Sequence, residues 1–311
     1  PCGSCESACE SDPLVAAPHG VFECVDGGCE VVCDSGYSNM DGLNDNGCEA
    51  TGFGFTPSNV DVDDDALLAV VVPLLDVNCS PEVDFGNAAE LPESVTICGT
   101  EVTPVLATQP GGSEIVVLAA QALEVAAGQK LRFLGSRPVA LVVFGDANVA
   151  GEIDVSAIGV SPGAGGNAAC GVDAGRNAAI LSNNDGGGGG GGGGAFGSVG
   201  DAGGKGGRVG TGAAASMVDA STASLSPLRG GCRGGNGGRR SANTVSQGGA
   251  GGGALQLAVS GTLTVSGTIA AAGGGGQRAM VSEAGGSGGG SGGAVLIEAR
   301  KVHLAASGWL T

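Results

Sequence analysis

Short runs in which apolar and polar side chains alternate recur through the second half of the chain. The stretches Val139 to Val149, Ala254 to Val265 and Ala294 to Leu304 resemble one another. In the second, Leu255, Leu257 and Val259, then Leu263 and Val265, fall on one side of an extended backbone. The pattern predicts strands near 139–144, 147–150 and 152–156, and again near 254–259, 262–265 and 268–271. A first, weaker copy starts at residue 113 and a last one at residue 294. Short strands at eight- to nine-residue offsets, separated by Gly, Ser, Asp or Asn, are what stacked rungs look like. A right-handed parallel β-helix, or a related solenoid, buries such rows rung on rung. A β-sandwich is the competing architecture. Its hairpins favour Asn-Gly or Asp-Gly between adjacent strands, whereas the tight turns here read Ser-Gly-Thr, which suit crossover corners equally well.

Glycine interrupts this pattern. Residues 159 to 293 hold 47 of the 65 glycines, nine of them consecutive from Gly186 to Gly194. An insertion at 160–251 therefore separates two rungs. Free coil of that length is costly to order and open to proteases. Two features point to order: Cys170 and Cys232 bracket the block, and glycine permits polyproline-II-like strands whose backbones approach closely and bond to one another. The expectation is a polyglycine-II-like layer, with a flexible low-complexity loop as the alternative.

Charge divides the chain. Residues 1–129 carry 22 acidic side chains and no basic ones, whereas residues 130–311 carry 13 basic and 9 acidic. An acidic front half repels phosphates and anionic lipid, so neither nucleic acid nor a membrane is an expected partner. The most apolar run, 66–75, is half a bilayer span and holds Pro73, so membrane insertion is not expected. Expected partners are a cell-surface or extracellular polymer, or another protein.

Eleven cysteines point to an oxidising compartment. Cys2, Cys5, Cys9, Cys24, Cys29, Cys33 and Cys48 crowd into a segment too poor in apolar residues for a core, which disulfides must hold. Zinc is the rival reading, but a second CxxC is missing. Cys79 and Cys98, 19 residues apart, suit one bridge closing a loop. The expected organisation is a Cys-rich module at 1–50, a linker at 51–58 with two phenylalanines packing it down, an acidic β-rich entry segment at 59–112, and the solenoid with its insertion at 113–311.

This order resembles glycine-rich secreted or cell-surface proteins of myxobacterial type. The resemblance rests on Cys2-x-x-Cys5-x-x-x-Cys9, Cys24-x-x-x-x-Cys29-x-x-x-Cys33 and the closing Asn46-Gly-Cys48-Glu. Met40 stands where that module carries an eighth cysteine, which accounts for the odd count. Segments at 135–139, 226–232 and 289–298 resemble the same family. The resemblance implies a secreted or surface location in a bacterium and no assigned activity. No signal peptide is visible from Pro1, and the chain reaches Trp309 inside the fourth copy without a polar cap, which is expected of a fragment or of a stack that another element continues.

Chemical motifs are scarce. Gly285-Gly-Ser287-Gly-Gly289 fits a nucleophile elbow only literally, since a strand rather than a helix follows it. Gly-Gly-Lys205-Gly lacks the first glycine and the hydroxyl residue of a phosphate loop. Asp61, Asp63, Asp64 and Asp65 gather four carboxylates, a weak calcium candidate without the loop register of a calcium-binding motif. Asp146, Glu152 and Asp154 on one rung, with Lys130 and Arg132 on the preceding one, are the only candidates for a polysaccharide lyase or hydrolase, and they face solvated charge as the simpler reading. Thr262, Thr264 and Thr268 suggest a face for ice or a crystalline polysaccharide. The sequence thus predicts a non-catalytic structural or adhesive scaffold, with a polysaccharide-active enzyme as runner-up, and no catalytic or cofactor-binding residue.

Overall fold

The computed structural model describes residues 20–25, 28–33, 53–87, 91–168, 170–179, 187–207, 210–218, 225–238, 246–279 and 284–311. In the Cys-rich module, β1 (Gly20–Val25) and β2 (Gly28–Cys33) form an antiparallel hairpin that sets Cys24 opposite Cys29. Cys2, Cys5, Cys9 and Cys48 lie outside the described residues.

Among the other described residues the regular structure is almost entirely β, with one helical turn, α1 (Asp65–Leu68), whose N-terminus Asp64 caps. Five short strands form the sheet β4 (Glu82–Asp84), β10 (Lys130–Leu134), β13 (Glu152–Asp154), β15 (Thr268–Ala270) and β17 (Trp309–Leu310) at one side; each neighbour pair in it is parallel. A larger sheet runs β3 (Leu75–Val77), β9 (Leu123–Val125), β12 (Ala147–Val149), β14 (Ala254–Val265), β11 (Val139–Val143), β8 (Glu114–Ala120) and β7 (Val105–Thr108). Strand β16 (Ala294–Leu304) pairs with β14, and every pair in this sheet is parallel except β7 with β8. Together the sheets curl into a half-barrel. Hairpin pairing of consecutive strands, which a β-sandwich of this kind needs throughout, occurs among the described residues only at β1–β2, β7–β8 and the pair β5 (Val95–Ile97) with β6 (Thr100–Val102). The entry segment at 59–112 supplies β3 and β4, so its core is shared with the strands beyond residue 113.

Register explains the alternation. Val116, Val139, Leu255 and Val295 stand side by side, as do Leu118, Leu141, Leu257 and Ile297, and Leu131, Ile153, Ile269 and Leu310 line up across the other sheet. These columns are the core, and all but their last members on β16 and β17 are buried. Each buried aliphatic contributes about 1.5–3 kcal/mol relative to exposure. The opposite face of β8, β11 and β14 is also covered, by Val60, Val62, Leu67, Phe144 and Leu228. That double burial is why 139–143 reads as an unbroken apolar run. Phe53 packs edge-on against Phe144 at 5.5 Å, so the linker's phenylalanine does pin it down.

The glycine block leaves β13 and returns at β14 with the register intact: Val139 pairs with Leu255, Ala147 with Leu263 and Glu152 with Thr268. Between them the chain runs back and forth in extended segments tied by backbone hydrogen bonds at three-residue intervals. Gly231, Gly234 and Gly237 donate to Gly252, Gly249 and Ser246; Ser287, Gly290 and Gly293 donate to Gln277, Gly274 and Ala271. Glycine is needed here for proximity rather than for unusual dihedrals. A Cβ on Gly288 would sit 2.0 Å from the Gly192 oxygen, and one on Gly191 would sit 2.0 Å from the Gly235 oxygen.

Two disulfides and a clamp fasten the parts. Cys79–Cys98 and Cys170–Cys232 are both formed. By loop-closure entropy they stabilise by about 3 and about 4 kcal/mol. Gln109 grips the buried Leu228 backbone from both sides, donating to its oxygen at 3.1 Å and accepting from its N–H at 2.7 Å. Nearby, Arg229 pairs with the buried Asp173 and lies 5.3 Å above the Phe196 ring.

Candidate functional site

Parallel register brings the predicted charges together. Lys130 stands opposite Glu152 and Arg132 opposite Asp154, while β4 places Glu82 beside Arg132. Lys130 Nζ lies 2.8 Å from Glu152 Oε1 and 3.4 Å from Asp154 Oδ2. Arg132 Nη1 meets Asp154 Oδ2 at 2.5 Å, its Nε lies 3.4 Å from Glu82 Oε2, and its Nη2 donates to the Ser156 carbonyl at 2.8 Å. The Ser156 N–H donates in turn to Asp154 Oδ1 at 2.8 Å. Glu82 was not legible as a member, because only the pairing of β4 with β10 carries it there.

This ladder ties three strands together, and its electrostatics suit that role better than proton transfer. Burial alone would push the Asp154 carboxyl up, but the Ser156 hydrogen bonds and the charges of Arg132 and Lys130 outweigh it and hold the pKa below the usual value. Lys130 is pushed up, chiefly by its hydrogen bond to Glu152 and against the effect of burial. Asp154 therefore stays ionised and Lys130 stays charged near neutral pH. Glycoside hydrolysis needs one carboxyl that holds a proton and a second that is free.

Asp146 does not join them. It lies between β11 and β12, where its carboxylate accepts from the Thr262 N–H at 2.6 Å. The threonines do not stack either. Thr264 shares its column with Glu124, Asn148 and His303; Thr262 stands opposite Lys301, and Thr268 opposite Glu152 and Trp309. Two of the acidic candidates for calcium serve the local backbone: Asp64 accepts from the Ala66 N–H at 2.8 Å and Asp61 from the Asp63 N–H at 3.1 Å. No group of three or more His, Cys, Asp or Glu placed to hold a metal ion occurs among the described residues.

The glycine block supplies a surface feature that sequence reasoning missed. A groove of about 680 Å³ is floored by 188–194 and walled by 199–205 and 285–290. Its lining is nearly all backbone, with Val199, Asp201, Lys205 and Ser287 as the larger side chains. A chain of identical glycines carries no side-chain pattern from which its inner and outer faces can be told apart.

Among the described residues no helix is long and apolar enough to cross a membrane. A scan against protein-family models, a search of curated proteins and a search of solved structures each return no match.

Proposed function

We propose that the chain is a non-catalytic extracellular or cell-surface scaffold, a right-handed parallel β-solenoid that carries a polyglycine-II-like layer as its working surface. The layer's hydrogen-bond spacing carries this reading. A polyproline-II strand has three residues per turn and no internal bonds, so each face repeats every third residue and must bond to a neighbour. The donors 231, 234 and 237, and 287, 290 and 293, keep that interval. The parallel columns and the conserved register across the insertion support the solenoid. Two disulfides fit an oxidising, extracellular setting.

The mechanism is presentation. A rigid β stack holds a sheet of backbone and small side chains against an extracellular polymer or a partner protein. The neutralised ladder at Lys130, Arg132, Glu152 and Asp154 weighs against the polysaccharide-active alternative. Purified protein should sediment with cell-envelope or extracellular-polymer fractions while releasing no reducing or unsaturated ends from neutral and acidic polysaccharides. Product release that disappears in Asp154→Asn would overturn the reading in favour of an enzyme.

A further inference from the structure

Segment 187–195 is the centre of the glycine layer, and its bonding follows a strict order. Its N–H groups serve three neighbours. Gly190 and Gly193 donate to Gly204 and Asp201, Gly191 and Gly194 to Gly286 and Gly289, and Gly192 and Ala195 to Arg176 and Asp173. Its carbonyls serve two more: Gly190 accepts from Ala213, and Gly189 and Gly192 accept from Gly238 and Gly235. A three-fold strand has three carbonyl faces as well as three N–H faces. The third, at Gly188, Gly191 and Gly194, accepts no hydrogen bond among the described residues. These three residues line the groove.

The walls complete the pattern. On 284–293, every other N–H face is used: Gly285, Gly288 and Ser291 donate to Gly238, Gly235 and Cys232, and Ser287, Gly290 and Gly293 donate across to 271–277. The N–H groups of Gly286 and Gly289 have no acceptor among the described residues, and both line the groove. On the far wall the same holds for Asp201 and Gly204, whose carbonyls, like those of Gly286 and Gly289, accept from the floor. Floor acceptors and wall donors thus share one interval, about 9 Å along a polyproline-II axis. Among the described residues five neighbours surround the central segment and none takes the sixth position.

We propose that this groove binds a glycine-rich polypeptide strand of Gly-Gly-X pattern in the polyproline-II conformation, as the sixth neighbour of segment 187–195. The inference rests on the polyglycine-II-like reading of the layer. The occupant donates N–H groups to Gly188, Gly191 and Gly194 and accepts from Gly286 and Gly289. Residues on its buried faces must be glycine, for the reason that bars a Cβ from Gly191 and Gly288, and every third residue faces out and is free to vary.

The test is titration of the full, disulfide-intact chain with a capped (Gly-Gly-Ser)3 peptide, read from backbone amide resonances. The expected result is saturable shifts at Gly286 and Gly289, none with (Ala-Ala-Ser)3, and at least tenfold weaker binding to Gly286→Val. A Cβ at Gly286 meets nothing within 4 Å, so Gly286→Ala, which adds that carbon alone, should keep the fold and show the same loss of binding. Protected amides at Gly190 to Gly194 without peptide-induced shifts would overturn the groove while leaving the layer standing. Unprotected amides there would overturn both. Shifts produced equally by (Ala-Ala-Ser)3, or by a neutral β-linked hexasaccharide in place of the glycine peptide, would overturn the assignment of the occupant.

Discussion

Replacing Gly288 with alanine adds one methyl group at a place where the fold has no room for it. The new Cβ would lie 2.0 Å from the Gly192 oxygen, against a floor of about 3.0 Å for real contacts, so segment 187–195 must retreat by about 1 Å. Three bonds span that contact: Gly288 to Gly235, Gly249 to Gly288 and Gly235 to Gly192, at 2.9, 2.9 and 2.7 Å. Each is worth about 0.5–1.5 kcal/mol net, and overpacking adds about 1–3 kcal/mol, so the cost should be about 2.5–7.5 kcal/mol. Two residues away in the same segment, Gly286→Ala meets nothing within 4 Å and should be neutral or stabilise by up to about 1 kcal/mol through the unfolded chain. Thermal melts of the two variants should differ by about 10 °C, with Gly288→Ala the lower. Equal melts would refute the argument that glycine is retained here for backbone proximity.

Asp154→Ala leaves the Arg132 guanidinium, only 10% exposed, without its buried partner and should cost about 3–5 kcal/mol in chemical denaturation. The pH dependence has two limbs. The folded pKa of Asp154 is lowered from 3.8, so its contribution is present above that value and disappears as pH falls through the lower folded value; melts of wild type and Asp154→Asn should converge there. That of Lys130 is raised from 10.5, so its contribution is complete below 10.5 and is lost as pH rises through the higher folded value, a loss that Lys130→Met should not show. Paired Cys170→Ser and Cys232→Ser substitutions should lower stability by about 4 kcal/mol and speed cleavage within the glycine block, followed by limited proteolysis.

The strand positions were legible where side chains alternate. Leu255, Leu257 and Val259 announce β14, and the run at 139–143 announces β11, because burial writes itself into apolar identity. Strands β3 and β4 were not, since three residues each, with Asp76, Glu82 and Asp84 among them, leave too little alternation to read. Pairing between distant strands was the other blind spot. Nothing local tells that Glu82 meets Arg132, or that Asp146 turns instead to Thr262, because both facts follow from parallel register across loops of different length. Cys79–Cys98 and Cys170–Cys232 were legible from spacing and bracketing. The groove was not, because in polyglycine the backbone itself is the recognition surface.

Native-state amide hydrogen exchange across 187–195 and 285–293 tests the central claim most directly. An ordered layer requires slow exchange at Gly190 to Ala195 and at Gly285, Gly288 and Ser291, with Gly286, Gly289 and Gly292 exchanging fast between them. Uniform exchange at the rate of an unfolded chain would contradict the account and leave the glycine block as a tether between strands.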